Sequence, residues 1–376
     1  MSVEILAPGG SVDGIYAAML HGADAIYTGT QRFSARAFAD NPSVEQLCDI
    51  LDFAHVRDKK IYLTVNTLLT DEELEAHLHP QAQLRLISYL QNEYNENDVQ
   101  IIISTHSPIL ASKINLKNLI LMKNGAGYDL AEGRTGLQKG DYLFLQRFLD
   151  STKANLFFAK GIIMVEGDAE NILIPVVADI LGYPLEKYGI SVVNVGSTAF
   201  LRYSGIMVRK DGTDIGIPVS VITDCDVRPY DVEPTTKEKT FNEKKAESLQ
   251  AKEKGDRKYT NGSVRGFTSP RWTLEYCIAL SSLSDVFHKA VHYGKKILNA
   301  QEHISLTDAK IDEANRDAEA EAQAWKEFSA AERAYHIYDL MLNDDGKSSL
   351  KAIVAQCLAS LLRWEVSIIP AGLTQE

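Results

Sequence analysis

Three short apolar runs constrain what the chain beyond residue 157 can fold into: GIIMV at 161–165, ISVVNVG at 190–196 and IPVSVIT at 217–223. Each is rich in β-branched residues and bounded by turn-forming ones, so each is a strand candidate. Between the first two lies DAENILIPVVADILG, a helical stretch closed by Gly182. Strands alternating with helices at this spacing predict parallel β/α units. A parallel sheet gathers the carboxyl ends of its strands along one edge, where sites form.

On that edge the chain places acids. Glu166 follows the first run directly, and Gly167 allows a sharp turn. Glu170 falls in the first turn of the next helix, and Asp224 and Asp226 follow the third run. A strand period of two predicts that Asp224 and Asp226 point to the same side. Acids at helix starts also have a plainer explanation, because the helix dipole favours them there. A single VEG or DxD carries no more than that. In this order, at successive strand ends, the acids predict an all-oxygen site for one or two hard cations, Mg²⁺ or Mn²⁺.

These motifs carry a resemblance. VEGDAE, NVGSTAF and ITDCD resemble the Toprim metal-binding fold, and the second glutamate four residues on is similar to the nucleases of the overcoming-lysogenization-defect (OLD) family. WTLEYCIA resembles that family's downstream LE helix, and the resemblance implies Glu275 beside the metals. LKAIVAQCLASLL resembles its terminal Lys-x-x-x-Ala helix, and implies Lys351 as a cation near the scissile phosphate. The GST at 196–198 departs from the family, where a second glycine is common. The expected fold class is α/β, with a Toprim-type parallel sheet flanked by helices over 157–376. A charged, solvated insertion, helical or disordered, interrupts it at about 228–262. The Ala- and Glu-rich stretch at 303–342 is expected to form one or two exposed helices.

The first 156 residues resemble other families. LAPGG, GADAIYTG, FSARAF and VNTLLTDEELE are similar to the amino-terminal βα units of the collagenase-like peptidases, implying a partial β/α-barrel segment over 1–73. Ser43 is a candidate cap for the helix beginning SVEQLCDIL. EAHLHPQAQ and IIISTHSP resemble the Walker B and switch-histidine region of an ABC-type ATPase, implying a partial lobe over 74–156. In that likeness Glu72 and Glu73 take the Walker B places and His106 the switch place. A phosphate-binding Gly-x4-Gly-Lys-[Ser/Thr] loop is missing; GKS at 346–348 has Met341 where the first glycine belongs and no strand before it. ATP binding and hydrolysis are therefore not expected of this chain alone. The two likenesses overlap at DEELEAHLHP, which marks an apparent fusion point.

Composition bounds the function classes. A formal net charge of −12 argues against bulk coating of nucleic acid, though not against a local basic groove. Four scattered cysteines without a CxxC pair argue against a thiolate metal site and suit a cytoplasmic protein. The start MSVEILAPGG lacks the features of a signal peptide, and no apolar run is long enough for a membrane span. The OLD likeness implies a two-metal endonuclease with DNA as partner, in a homodimer. Its ligands are Glu166, Glu170, Asp224, Asp226 and Glu275, and Lys351 serves the transition state. The rival expectations are a non-catalytic Toprim-like module in a defence or repair complex, and a peptidase or RNA-modification factor.

Overall fold

The computed structural model describes residues 5–29, 40–64, 84, 87–88, 101–196, 199–232, 241–298, 307–342 and 350–364. The chain divides into two units, Met1–Asn115 with Leu149–Ala154, and Leu116–Phe148 with Asn155–Glu376. No helix among the described residues is long and apolar enough to cross a membrane.

The first unit is a run of βα steps. Strand β1 (Leu6–Gly9), helix α1 (Val12–Leu20), β2 (Ala25–Thr28), α2 (Val44–His55), β3 (Lys60–Thr64), β4 (Ile101–Ile102) and α3 (Pro108–Lys113) follow in order. The strands pair in parallel in the order β1-β2-β3-β4. Ser43 caps α2 through a capping box with Gln46, as its position in the sequence predicts. Ile15, Met19, Ile26, Ile50, Ala54 and Ile61 fill the space between helices and sheet. The IIISTHSP strand, placed from sequence in a separate ATPase-type lobe, pairs here with β3, Leu63 opposite Ile101. Parallel pairing satisfies backbone groups that β3 otherwise leaves open on that side.

The second unit opens with a hairpin, β5 (Ile120–Lys123) and β6 (Ala126–Asp129), turning on Asn124 and Gly125, both at positive φ. Helix α4 (Lys139–Phe148) follows. The central sheet comes next: β7 (Gly161–Val165), α5 (Asp168–Ile180), α6 (Leu185–Tyr188), β8 (Ile190–Asn194), α7 (Phe200–Ser204), β9 (Val219–Thr223), α8 (Phe241–Tyr259) and β10 (Val264–Thr268). All four strands are parallel, in the order β10-β9-β7-β8. The remaining helices are α9 (Leu274–Leu280), α10 (Ser284–Leu298), α11 (Asp308–Ala324), α12 (Ala330–Asp339) and α13 (Lys351–Trp364). A second core joins α5, α9, α10, α12 and α13 through Leu173, Val176, Tyr276, Phe287, Ile337, Val354 and Leu358.

Two expectations change. The charged stretch at 228–262 contains α8, which docks against β10 rather than standing free in solvent. Ser248 and Tyr259 on α8 are buried, and the Cys225 thiol lies 3.5 Å from the Ser248 carbonyl oxygen. The alanine-rich stretch likewise buries Ala314, Ala318, Ala334 and Ile337. Small side chains let these helices approach their neighbours, a face that charge counting hides.

The docking of α8 is testable at Gly266. A Cβ there would stand 2.6 Å from the Asp256 backbone oxygen and 3.1 Å from its Cα. Gly266→Ala should destabilise the protein by about 1–3 kcal/mol, the range for overpacking, in a urea unfolding curve. A shift within experimental error would show that α8 does not pack there.

Candidate functional site

The carboxyl ends of neighbouring strands β7 and β9 deliver Glu166 and Asp224 to one edge of the sheet. Gly167, extended at φ −145° and ψ −175°, turns the chain into α5. Its N–H donates to Glu170 Oε2 at 3.1 Å, which draws the Glu170 side chain back over the helix start. The hydroxyl of Thr223 donates to Glu166 Oε1. The Leu274 N–H, at the start of α9, donates to Asp224 Oδ1 at 2.9 Å. Glu275 follows, only 3% exposed, and Lys351 at the start of α13 approaches its two oxygens at 3.0 and 3.1 Å. Glu166, Glu170, Asp224, Glu275 and Lys351 line a cavity of about 320 Å³ with Gly167, Asp168, Ala169 and Ala352.

Electrostatics strain this cavity. Burial, with the neighbouring charge of Glu275, pushes the Asp224 carboxyl up to about 7. Burial raises Glu170 as well, again with Glu275 adding repulsion. Burial acts to lower Lys351, but the charge of Glu275, its hydrogen bond and the neighbouring Tyr338 and Asp224 together outweigh it and hold the ammonium above the ordinary lysine value. Glu275 Oε1 is buried without a hydrogen bond, although Lys351 Nζ is 3.0 Å away. The ammonium donates to Oε2 instead, so Oε1 is ion-paired by proximity and still lacks a donor. One lysine among these acids leaves the cavity net negative.

Of the residues singled out in the sequence, Glu166, Glu170, Asp224, Glu275 and Lys351 meet here, although 76 positions separate the last two acid–base partners. Asp226 does not line the cavity. Strand β9 ends at Thr223, so the two-residue period lapses before the DCD segment. Asp226 adopts φ +58°, donates its N–H to the Trp272 carbonyl at 3.0 Å, and is exposed. His106 is exposed in the first unit, between β4 and α3. Glu72, Glu73, Ser197 and Thr198 lie outside the described residues.

Sequence reasoning left two participants without a role. Thr223 orients Glu166 and is the last residue of the IPVSVIT run, immediately before the acids. Asp168 lines the cavity and accepts from Asn194 Nδ2 at 2.7 Å. Asn194 ends β8 as Thr223 ends β9, so the polar residue closing these two strands was the available signal.

With this geometry in view, comparison with known proteins finds two families along the chain. Residues 157–226 match the TOPRIM domain of overcoming-lysogenization-defect-like proteins, and residues 10–91 match peptidase family U32. The OLD-type and collagenase-like resemblances drawn from the motifs are thus found again. Endonuclease GajA of Bacillus cereus is 27% identical over 212 residues, 50% of this chain and 30% of that protein. The OLD nuclease of Thermus scotoductus is 30% identical over 186 residues, 47% of this chain and 34% of that protein. A tRNA hydroxylation protein P of Helicobacter pylori is 31% identical over 123 residues, 31% of this chain and 29% of that protein. The matched part spans about a third of the length of each of these three relatives.

Proposed function

We propose that the second unit is a divalent-metal-dependent endonuclease centre of the OLD type that hydrolyses phosphodiester bonds in DNA. The observation that carries this is the convergence of Glu166, Glu170, Asp224 and Glu275 with Lys351 in one cavity at the carboxyl edge of a parallel sheet. The residues suit hard cations: every acidic donor is oxygen, and the buried Glu275 Oε1 lacks a hydrogen bond. Bound Mg²⁺ or Mn²⁺ ions would lower the pKa of an attacking water and stabilise the leaving 3′ oxygen. Thr223 and the Leu274 N–H hold Glu166 and Asp224 in place before any ligand arrives. The Lys351 ammonium, paired with Glu275, offsets negative charge that grows on the phosphate as the water oxygen bonds to phosphorus and the P–O3′ bond breaks. Asp226 remains a candidate outer ligand, and its comparison with Asp224 is part of the test below.

Two measurements examine this reading. Supercoiled plasmid should be nicked by the purified chain with Mn²⁺ or Mg²⁺ and left intact in EDTA. No nicking with either ion would favour a non-catalytic Toprim-like module. Mn²⁺ should also raise thermal stability, by about 2.7 kcal/mol at a concentration 100-fold above its Kd. A folded chain that shows no shift at millimolar Mn²⁺ has no such site.

The match of residues 10–91 to peptidase family U32 and the tRNA hydroxylation relatives favour a second reading, in which the first unit serves RNA modification. Retention of tRNA in a filter-binding assay, undiminished by Asp224→Ala, would support it.

A further inference from the structure

We propose a second metal site, built from His288, His292 and Glu321 between helices α10 and α11, that takes a transition-metal dication, zinc above all. The inference does not depend on the nuclease reading, and the site shares no residue with the carboxylate cavity.

His288 and His292 are four positions apart on α10, so they stand on one face, one turn from each other. Both are buried, at 4% and 5% exposure. Their Nε2 atoms converge on a single oxygen, Glu321 Oε2, at 2.8 and 2.9 Å. All three donor atoms lie within 4.8 Å of one another. Around a tetrahedral zinc at roughly 2.0–2.1 Å, neighbouring donors stand about 3.3 Å apart. The two histidine–carboxylate distances therefore open by about half an ångström, while the two nitrogens, within 4.8 Å of each other, are drawn toward that spacing by side-chain rotation. Two histidines and a carboxylate form a common three-ligand zinc set, which leaves a fourth position for water.

The surroundings suit a cation. The Trp325 ring stacks on His288 at 5.0 Å between centroids, so an apolar wall covers one side. Burial holds His288 below its ordinary range, so the imidazole is neutral, as a metal requires. Lys296, one turn beyond His292, is engaged by Glu313 at 2.8 Å and Asp317 at 3.0 Å, so its ammonium is already paired. The one carboxylate of the cluster, Glu321, gains a cation partner when a dication enters, so no anion is stranded. The nitrogen-rich donor set separates this site from the oxygen-only cavity, which prefers Mg²⁺ or Mn²⁺. An ion here would staple α11 to α10, which belongs to the core that also carries α13.

The test uses the full chain, stripped with EDTA and held in millimolar Mg²⁺ to mask the carboxylate cavity. Co²⁺ is the spectroscopic probe and Zn²⁺ the competitor. The expected result is one Co²⁺ per chain with the intense visible bands of a four-coordinate nitrogen-ligated ion, displaced by equimolar Zn²⁺. His292→Ala and the near-isosteric Glu321→Gln should weaken binding by at least about 100-fold, and Asp224→Asn should leave the bands unchanged. Only the weak bands of a six-coordinate oxygen site in the wild-type chain would overturn the proposal, whatever the variants do. So would intense bands that survive both substitutions in chains whose far-ultraviolet dichroism shows them folded.

Discussion

Alanine in place of Asp224 is expected to abolish plasmid nicking in Mn²⁺, a loss of at least about 100-fold, and Glu166→Ala should do the same. Both side chains are held by donors of the chain itself, the Leu274 N–H and the Thr223 hydroxyl, so each acid is aimed before an ion binds. Asp226→Ala should fall well short of that loss, because Asp226 is exposed and outside the cavity lining. Lys351→Ala separates chemistry from structure. It removes the partner of a carboxylate whose side chain is only 4% exposed, so in EDTA the variant should unfold more easily than wild type. Mn²⁺ should recover much of that stability by neutralising Glu275, while nicking stays slow because the ammonium acts on the transition state. The measurements are plasmid relaxation and melting curves, with and without Mn²⁺, for the five proteins side by side. Equal nicking by all five would place the activity elsewhere.

The second large effect is on pH dependence. The Asp224 carboxyl is raised from 3.8 to about 7 in the folded chain, first by burial and then by Glu275. The folded state therefore holds this proton more tightly than the unfolded state. The resulting stability is fully present below about pH 4 and is lost as pH rises through 7, a difference of no more than about 4 kcal/mol. Glu170, also raised, acts in the same direction. Without metal, Asp224→Asn should be more stable than wild type at pH 8, and the gap should vanish or reverse at pH 4. Mn²⁺ reverses the order at pH 8, because wild type gains a ligand that the amide replaces poorly. Urea unfolding at three pH values, with EDTA or Mn²⁺, reads all of this. Parallel pH profiles for the two proteins would mean that Asp224 is not crowded as described.

Much of the local structure could be read from the sequence because its causes are local. Strands β7, β8 and β9 lie within the apolar runs, since β-branched side chains and short length act within a few residues. Ser43 caps α2 because its hydroxyl reaches a backbone N–H three residues on. Gly182 follows α5 at φ +84°, a conformation that a side chain would strain. The placement of Glu166 and Glu170 at one mouth follows from the same arithmetic of strand, turn and helix.

The tertiary structure decided what depends on distance along the chain. The strand period ran out at Thr223, so Asp226 lies exposed outside the cavity lining, and no local pattern announces where pairing with β10 and β7 stops. A lysine at the first position of α13 opposes the helix dipole, and it is retained by Glu275, 76 residues earlier. The charged run at 241–259 became a docked helix because Gly266 lets its backbone approach β10. His288 and His292 share a face by helical spacing alone. Their meeting with Glu321 required the packing of α10 against α11, a burial free energy summed over many side chains that no single stretch of sequence contains.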